Sequence, residues 1–314
     1  MNFFITGGAG FIGFHLASCL ISSKNKITIY DNFSNSSKEK ISPLISRGVN
    51  LVDGDILDYD RLSKPMANHD FVIHLAAQID ISKSIENPSH TKKVNVDGTI
   101  NVLKSCKKNK IKNFIGTSSS AVYGNSTQLP LKETSTLTPI SPYGQSKLEM
   151  EKAIIDFSKN NNLNSIILRL FNVYGIGQTE SYAGVITKFC NNIIKNKPLI
   201  IFGDGTFTRD FIHINDVVKA IINASNKMER KKGNVYNIAS GTKTSILELA
   251  ELILSISGKN LEIKYLPPKK GDIPYSQSNI DLAKKELNFN PKITLKEGLK
   301  DLINYYEHKN KSSY

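Results

Sequence analysis

The 314-residue chain contains no tryptophan and only three cysteines. Cys19, Cys106 and Cys190 have neither metal-like nor redox-like spacing, which excludes a disulfide-stapled scaffold and fits a reducing, cytoplasmic setting. Long apolar runs are missing too: none reaches the roughly 18–20 residues that a membrane span requires. The first residues, Met1-Asn2-Phe3-Phe4-Ile5-Thr6, enter a strand pattern without a basic leader or cleavage site. Neither membrane insertion nor export by a signal peptide is expected. Arginine is scarce: only Arg47, Arg61, Arg169, Arg209 and Arg230 contribute to the 41 basic residues, so the basic surplus is made of lysine.

That surplus is large, 41 Lys+Arg against 28 Asp+Glu, or +13. A charge of this size raises the question of nucleic acid, where phosphate contacts supply most of the non-specific affinity. The distribution argues against it. Lysines are spread over the whole length, the denser stretches at 104–112 and 230–232 fall at helix ends and loops, and no aromatic residues interleave with them as a stacking platform would. With 39% hydrophobic and 22% charged residues the chain can bury a core, and its length suits two domains or one α/β unit with an appendage.

Short apolar runs alternate with amphipathic stretches through the first half. Asn2–Thr6, Lys26–Tyr30, Val49–Val52, Phe71–Leu75, Asn113–Thr117 and Ser165–Leu170 read as buried parallel strands. Gly10–Ser22, Asn95–Lys108 and Pro142–Asn160 read as helices between them. This order predicts an α/β fold, a Rossmann-type doubly wound parallel sheet over residues 1–171. From 172 to 314 the pattern is less regular, with a helix at Val185–Lys195, a strand at Leu199–Phe202, a capped helix ending near Ser257 and a last helix near Thr294–His308. It predicts a smaller substrate-binding lobe, with segments around 210–240 packing back on the sheet.

Directly after the first strand, Gly7, Gly10 and Gly13 fall at three-residue spacing. Such glycines permit the tight turn, the approach of backbone to a pyrophosphate and close helix–strand packing, and the helix entered by Phe11-Ile12 points its amides at the phosphates. Asp31, at the end of the second strand and beside Asn32, is placed for the adenosine ribose hydroxyls, and no arginine follows for a 2′-phosphate. NAD is therefore expected rather than NADP. Asp55-Ile56 follow the third strand near the adenine, and Leu75-Ala76-Ala77-Gln78 close the fourth with small residues along the cofactor path. The second motif is Tyr143-Gly144-Gln145-Ser146-Lys147 at a helix start. Positions i and i+4 share a helix face, so the Lys147 ammonium is expected near the phenol, lowering its pKa for acid/base work. Thr117-Ser118-Ser119 precede it, offering a hydroxyl between the tyrosine and a substrate oxygen.

With these motifs the chain resembles the extended short-chain dehydrogenase/reductases, and specifically the nucleotide-sugar epimerases of the UDP-glucose/UDP-N-acetylglucosamine 4-epimerase type. Asn95-Val96-Asp97-Gly98-Thr99, Arg169 through Gly175, Thr208-Arg209-Asp210-Phe211 and Gly271-Asp272-Ile273-Pro274 extend the likeness over nearly the whole chain. The resemblance implies that Tyr143 is the acid/base on the sugar 4-hydroxyl, that Ser119 hydrogen-bonds the reacting oxygen, and that Lys147 holds the nicotinamide ribose. Asn95 and Thr117 join the cofactor set. Asn172, Arg209 and Asp272 are implied for the nucleotide-sugar and its diphosphate, and Val185 joins the substrate set. The implied reaction inverts C4 through a transient 4-keto sugar with NAD regenerated, and the implied assembly is a homodimer packed through the helices 95–108 and 142–160.

Dehydratases of the family carry an Asp-Glu pair after the residue equivalent to Ser119, and decarboxylases usually a glutamate at the second of these positions; here they are Ser120 and Ala121. Simple epimerisation is favoured over elimination or decarboxylation. Ser276 occupies the position where a tyrosine excludes N-acetyl groups, so UDP-GlcNAc/UDP-GalNAc are expected substrates alongside UDP-Glc/UDP-Gal. The pattern departs at Ile176-Gly177, which lacks the usual arginine, and at Lys269, where the family has another. The alternatives are a dehydratase, a decarboxylase, an epimerase or reductase of a dTDP-, GDP- or CDP-sugar, or a silent NAD-binding or RNA-associated protein.

Overall fold

The computed structural model describes residues 1–178, 184–268 and 273–311. Its strands are β1 (Asn2–Thr6), β2 (Lys26–Asp31), β3 (Asn50–Asp53), β4 (Phe71–His74), β5 (Asn113–Ser119), β6 (Asn164–Leu170), β7 (Asn172–Tyr174), β8 (Leu199–Phe202), β9 (Thr208–His213), β10 (Lys232–Ile238), β11 (Lys243–Ser245) and β12 (Ile263–Leu266). Seven form one parallel sheet in the order β10-β6-β5-β4-β1-β2-β3. Residues of β1, β4, β5 and β6 that face either side are buried because helices cover both faces, which is why these strands read as continuous apolar runs.

Two apolar clusters flank the sheet. One packs Leu16, Ala17 and Leu20 of the Phe11–Ser22 helix with Val217, Ile221 and Ala224 of the Ile214–Asn226 helix against Ile5, Ile73 and Ile166. The other packs Val102, Leu103 and Cys106 of the Gly98–Lys108 helix with Met150 and Ile154 of the Pro142–Asn160 helix against Phe4, Val72 and Phe114. A third cluster lies away from the sheet, among the helices Val185–Ile194, Ile246–Ser257 and Leu295–Lys311 and strands β8 and β9. Two small sheets accompany it, β11-β9-β7 and β12-β8.

Local chemistry fixes the helix that matters most. Ser141 accepts the Gly144 N–H at 3.1 Å and Pro142 occupies the first turn, so the helix starts where the chain demands Tyr143. In the Ile246–Ser257 helix, Ser245 and Glu248 form a reciprocal capping box and Gly258 ends it in a left-handed conformation. Sheet order reverses between β1 and β4, the place where doubly wound sheets open a crevice at the carboxyl ends of their strands. Among the described residues no helix is long and apolar enough to cross a membrane.

Candidate active site

Backbone geometry at the end of β1 builds the first wall. Gly7 has φ +66°, and a Cβ there would lie 2.6 Å from the Ala76 nitrogen; one at Gly13 would lie 2.5 Å from the Gly8 Cα. Only glycine lets this turn rest against the end of β4 while the next helix starts tightly upon it. Gly10 is the N-cap of that helix and no side chain caps it. The first-turn residues Phe11, Ile12 and Gly13 therefore present uncapped amides to the cleft they line, an arrangement that attracts anions.

That cleft, about 780 Å³, runs from Asp31, Asn32, Asp55 and Ile56, past Gly7–Gly13 and Leu75, Ala76, Ala77 and Gln78, to Thr117, Ser119, Tyr143 and Lys147. Asp31 ends β2 with its carboxylate accepting from Ala9 N–H at 3.0 Å and Phe33 N–H at 2.8 Å. Burial pushes its pKa up, and these donors pull it back. Asn32 donates to Asp55 Oδ2 at 2.9 Å, and Asp55 Oδ1 caps Leu57 N–H at 2.8 Å. A glycine turn, an uncapped helix start and an acidic residue one strand over are the parts a dinucleotide needs, and this cleft supplies them in register.

Asn95 is the exception among the expected cofactor residues. It sits 1% exposed in a π-helical turn, Lys93–Asp97, behind the cleft wall. Its Oδ1 accepts Gln78 N–H at 2.8 Å, and its Nδ2 donates to Gln78 O at 2.9 Å and to Ser146 Oγ at 2.9 Å. Ser146 in turn donates to the Tyr143 carbonyl at 2.7 Å. With its amide engaged in these bonds, Asn95 ties the cleft wall at Gln78 to the start of the Pro142–Asn160 helix.

The Tyr143 phenol and the Ser119 hydroxyl stand side by side on the cleft wall, and Ser119 Oγ accepts Ala121 N–H at 3.2 Å. The phenol does not have the lowered pKa that its spacing from Lys147 predicts. Burial pushes it above its ordinary value, with the Ser119 hydroxyl opposing. The reason is visible in Lys147, whose Nζ donates to the Thr117 carbonyl at 2.9 Å. Burial draws the Lys147 ammonium down to about 8, and the Glu151 carboxylate acts against that shift.

Of the expected substrate residues, Ser119 and Tyr143 line the cleft, whereas Asn172, Val185, Arg209 and Ser276 are not among its lining residues. Asn172 Nδ2 donates to the Asp210 carbonyl at 3.1 Å; strand alternation turns its neighbours Phe171 and Val173 into the cleft instead. Arg209 donates to Thr208 O at 2.9 Å, and Ser276 N–H donates to Thr208 Oγ1 at 3.4 Å, so these two meet at the start of β9. Val185 packs on the third apolar cluster. Lys269 and Asp272 lie outside the described residues.

Two buried polar assemblies escaped the sequence reading. His74, at the end of β4, accepts at Nδ1 from Thr6 Oγ1 at 2.7 Å and donates from Nε2 to Thr99 Oγ1 at 2.9 Å, a tautomer assigned because Thr99 itself donates to Asn95 O at 2.7 Å. Burial holds its pKa near 3, so the ring is neutral. The other assembly is Glu151 with Arg169, bidentate at 2.9 and 2.7 Å and 2–3% exposed. A polar residue at i+4 from Lys147 was the available signal.

Comparison with known proteins agrees with this geometry. The chain is 38% identical over 312 residues to a Methanocaldococcus jannaschii protein that carries the provisional name UDP-glucose 4-epimerase, covering 98% of this chain and 99% of the relative. UDP-glucose 4-epimerase of Thermotoga maritima, solved with UDP-glucose, superposes with a TM-score of 0.92 at 34% identity, covering 99% of this chain and all of that one. UDP-N-acetylglucosamine 4-epimerase of Methanobrevibacter ruminantium, solved with UDP-N-acetylmuramic acid, gives 0.92 at 34% over 98% of both chains. Residues 3–239 match the NAD dependent epimerase/dehydratase family. A glycine cradle, an acidic β2 terminus and a Ser-Tyr-Lys set on one cleft, together with that match, establish that the chain belongs to this NAD-dependent family.

Proposed function

We propose that the protein inverts C4 of UDP-hexoses and accepts N-acetylated hexoses as well as plain ones. The observation that carries the reading is the pairing of Tyr143 with Ser119 at the inner end of the dinucleotide cleft, with Lys147 one turn away. The Tyr143 phenolate, favoured by the Lys147 ammonium and by the positive ring of bound NAD, takes the 4-hydroxyl proton and later returns it, while Ser119 holds the same oxygen. NAD, when bound, supplies a cationic ring that accepts the C4 hydride and gives it back to the other face of the 4-keto sugar. Elimination needs further acid/base groups, and positions 120 and 121 are Ser and Ala, followed by a tight turn, Ser120–Tyr123. The acids that line the cleft are Asp31 and Asp55 at its adenosine end and Glu86.

The nucleotide is assigned to the neighbouring β7-β9 surface. β9 starts beside an open hollow of about 620 Å³ at the carboxyl ends of the parallel strands β8 and β12, walled by Gly203, Phe207, Tyr265 and Leu266. Arg209 follows Phe207 by two residues, and Asn172 bonds the next residue, Asp210. This suits a base in the hollow, a diphosphate at Arg209 and the sugar toward Val173 and Tyr143, with binding energy spent remotely while the sugar turns. Ser276, beside Thr208, is small enough to leave room for an acetamido group.

The experiment is incubation of the full chain with UDP-Glc, UDP-Gal, UDP-GlcNAc and UDP-GalNAc, with and without added NAD, reading C4 stereochemistry by NMR. Interconversion within both pairs is expected. Unchanged C4 in all four overturns the activity, and conversion of UDP-Glc with UDP-GlcNAc untouched overturns the N-acetyl reading. We also propose a homodimer through the helices 95–108 and 142–160, supported by the family likeness; a monomeric mass at micromolar concentration in light scattering refutes it.

A further inference from the structure

We propose that Glu151, locked by Arg169, is a positioning residue for Lys147: it supplies the counter-charge that keeps a buried ammonium in place against the Thr117 carbonyl. The inference rests on the reading of Lys147 as part of the active site. Lys147 is 3% exposed, and its Nζ donates to the Thr117 carbonyl at 2.9 Å and to the weak acceptor Met150 Sδ at 3.8 Å. Neither carries a charge. A cation so placed is costly unless an anion shares its low-dielectric surroundings.

Glu151 is that anion, one helical turn further along the same helix and 2% exposed. It does not collapse onto Lys147, because Arg169 on β6 grips both its oxygens. Arg169 is itself immobilised: it donates to Tyr123 Oη at 2.8 Å and to the Glu133 carbonyl at 3.1 Å, and its guanidinium lies 4.9 Å from the Tyr123 ring centre. Tyr123 Oη in turn donates to Asn237 Oδ1 at 2.6 Å. The carboxylate is thereby held in place one turn from Lys147, acting on the ammonium through its charge without taking its hydrogen bonds. Among the described residues, the ionisable groups that interact with the Lys147 charge are Glu151 on its own helix and His74 on β4, which is neutral. Glu151 is the one negative charge among them.

Two substitutions test this. Glu151→Gln keeps the shape and removes the charge; Glu151→Asp keeps the charge. In the full chain, the Lys147 Nζ titration followed by 15N NMR, assigned with Lys147→Arg, should shift down by one unit or more in Glu151→Gln, a tenfold loss of proton affinity, and stay within a few tenths in Glu151→Asp. The alkaline limb of kcat should move with it, while KM at pH 6 changes less than threefold. This titration needs no substrate, so it fails or holds separately from the assigned activity. If the Lys147 titration and the alkaline limb stay in place in Glu151→Gln while Tm falls, Glu151 serves Arg169 alone and the proposal is wrong. Should Glu151→Gln not fold, Arg169→Leu, which frees the Glu151 carboxylate from its lock, replaces it: a Lys147 titration moved by less than a few tenths likewise overturns the proposal.

Discussion

Replacing Gly7 by alanine places two separable penalties on the cofactor turn. The first is conformational, since φ at Gly7 is +66° and an L-residue there costs about 1–2 kcal/mol. The second is steric. The new Cβ would lie 2.6 Å from Ala76 N, 2.7 Å from Ala76 Cα and 2.8 Å from the Leu75 carbonyl carbon, all backbone atoms of the β4 end that cannot swing aside. Overpacking of this kind costs about 1–3 kcal/mol. The sum, about 2–5 kcal/mol, is a factor of roughly 30 to several thousand. If the turn stays in place, the loss appears as stability; if it relaxes away from Ala76, it appears as NAD affinity, so the two must be measured together by denaturant unfolding and titration calorimetry. Two controls divide the total. Gly13→Ala has a Cβ 2.5 Å from Gly8 Cα without a positive φ, whereas Gly258→Ala has φ +64° and nothing within 4 Å, so it should lose only the conformational part and none of the NAD affinity. Gly7→Ala with unfolding energy and NAD affinity both within about 0.5 kcal/mol of the parent would refute the argument, because surface changes away from such features stay inside that range.

The remaining predictions follow from single contacts. Tyr143→Phe should lower kcat by about 10²–10⁴-fold, the ordinary worth of a positioned acid/base, while NAD binding is retained; unchanged turnover contradicts the mechanism. Asp31→Asn, in a carboxylate already fixed by Ala9 and Phe33 amides, should weaken NAD by about 10- to 150-fold and narrow its preference over NADP, a charge-assisted hydrogen bond being worth about 1.5–3 kcal/mol; equal NAD affinity sinks the ribose assignment. Ser276→Tyr should suppress turnover of UDP-GlcNAc far more than of UDP-Glc, read by the same NMR assay; parallel losses dismiss it as the size gate. His74 binds its proton in the folded state only near pH 3, whereas the unfolded chain binds it near 6.5, so between those values the unfolded state holds more protons and stability falls as pH falls. Asp210, raised to about 6 by burial, works oppositely, favouring the fold below the unfolded value of 3.8 and losing that contribution as pH rises through 6. His74→Gln should flatten the acid-side decline in urea midpoints; an identical slope removes His74 as its source.

Which parts of the molecule were legible in the chain has a physical pattern. β1, β4, β5 and β6 are buried on both faces, so burial wrote them as unbroken apolar runs, and Ser141-Pro142 marked the start of the catalytic helix to the residue. β10 was not legible, because Lys232-Gly233-Asn234 opens it with polar residues and its place beside β6 depends on pairing across an intervening segment that holds β7, β8, β9 and two helices. The π-turn at Lys93–Asp97 shifts hydrogen bonds without altering composition, so the bonds of Asn95 to Gln78 and Ser146 could not be read from the sequence. The glycine cradle could be read because sterics at each glycine are local. The field around Lys147 could not: spacing puts Tyr143 and Glu151 each one turn away, but only the fold shows that Arg169 fixes Glu151 there and that burial governs the phenol.

The strand that completes the parallel sheet is also the last of its seven to be synthesised. β10 pairs along Ser165–Leu170 of β6, yet Lys232–Ile238 leaves the ribosome only after the whole of β7, β8 and β9. Until then the outer rim of β6, with Ile166, Ile167 and Leu168, is an open β edge of the kind that recruits other chains. A transcript cut short before Lys232 therefore yields a sticky fragment in place of a smaller dinucleotide-binding protein, and a holdase that shields this rim during translation would act at the step where the chain is most vulnerable.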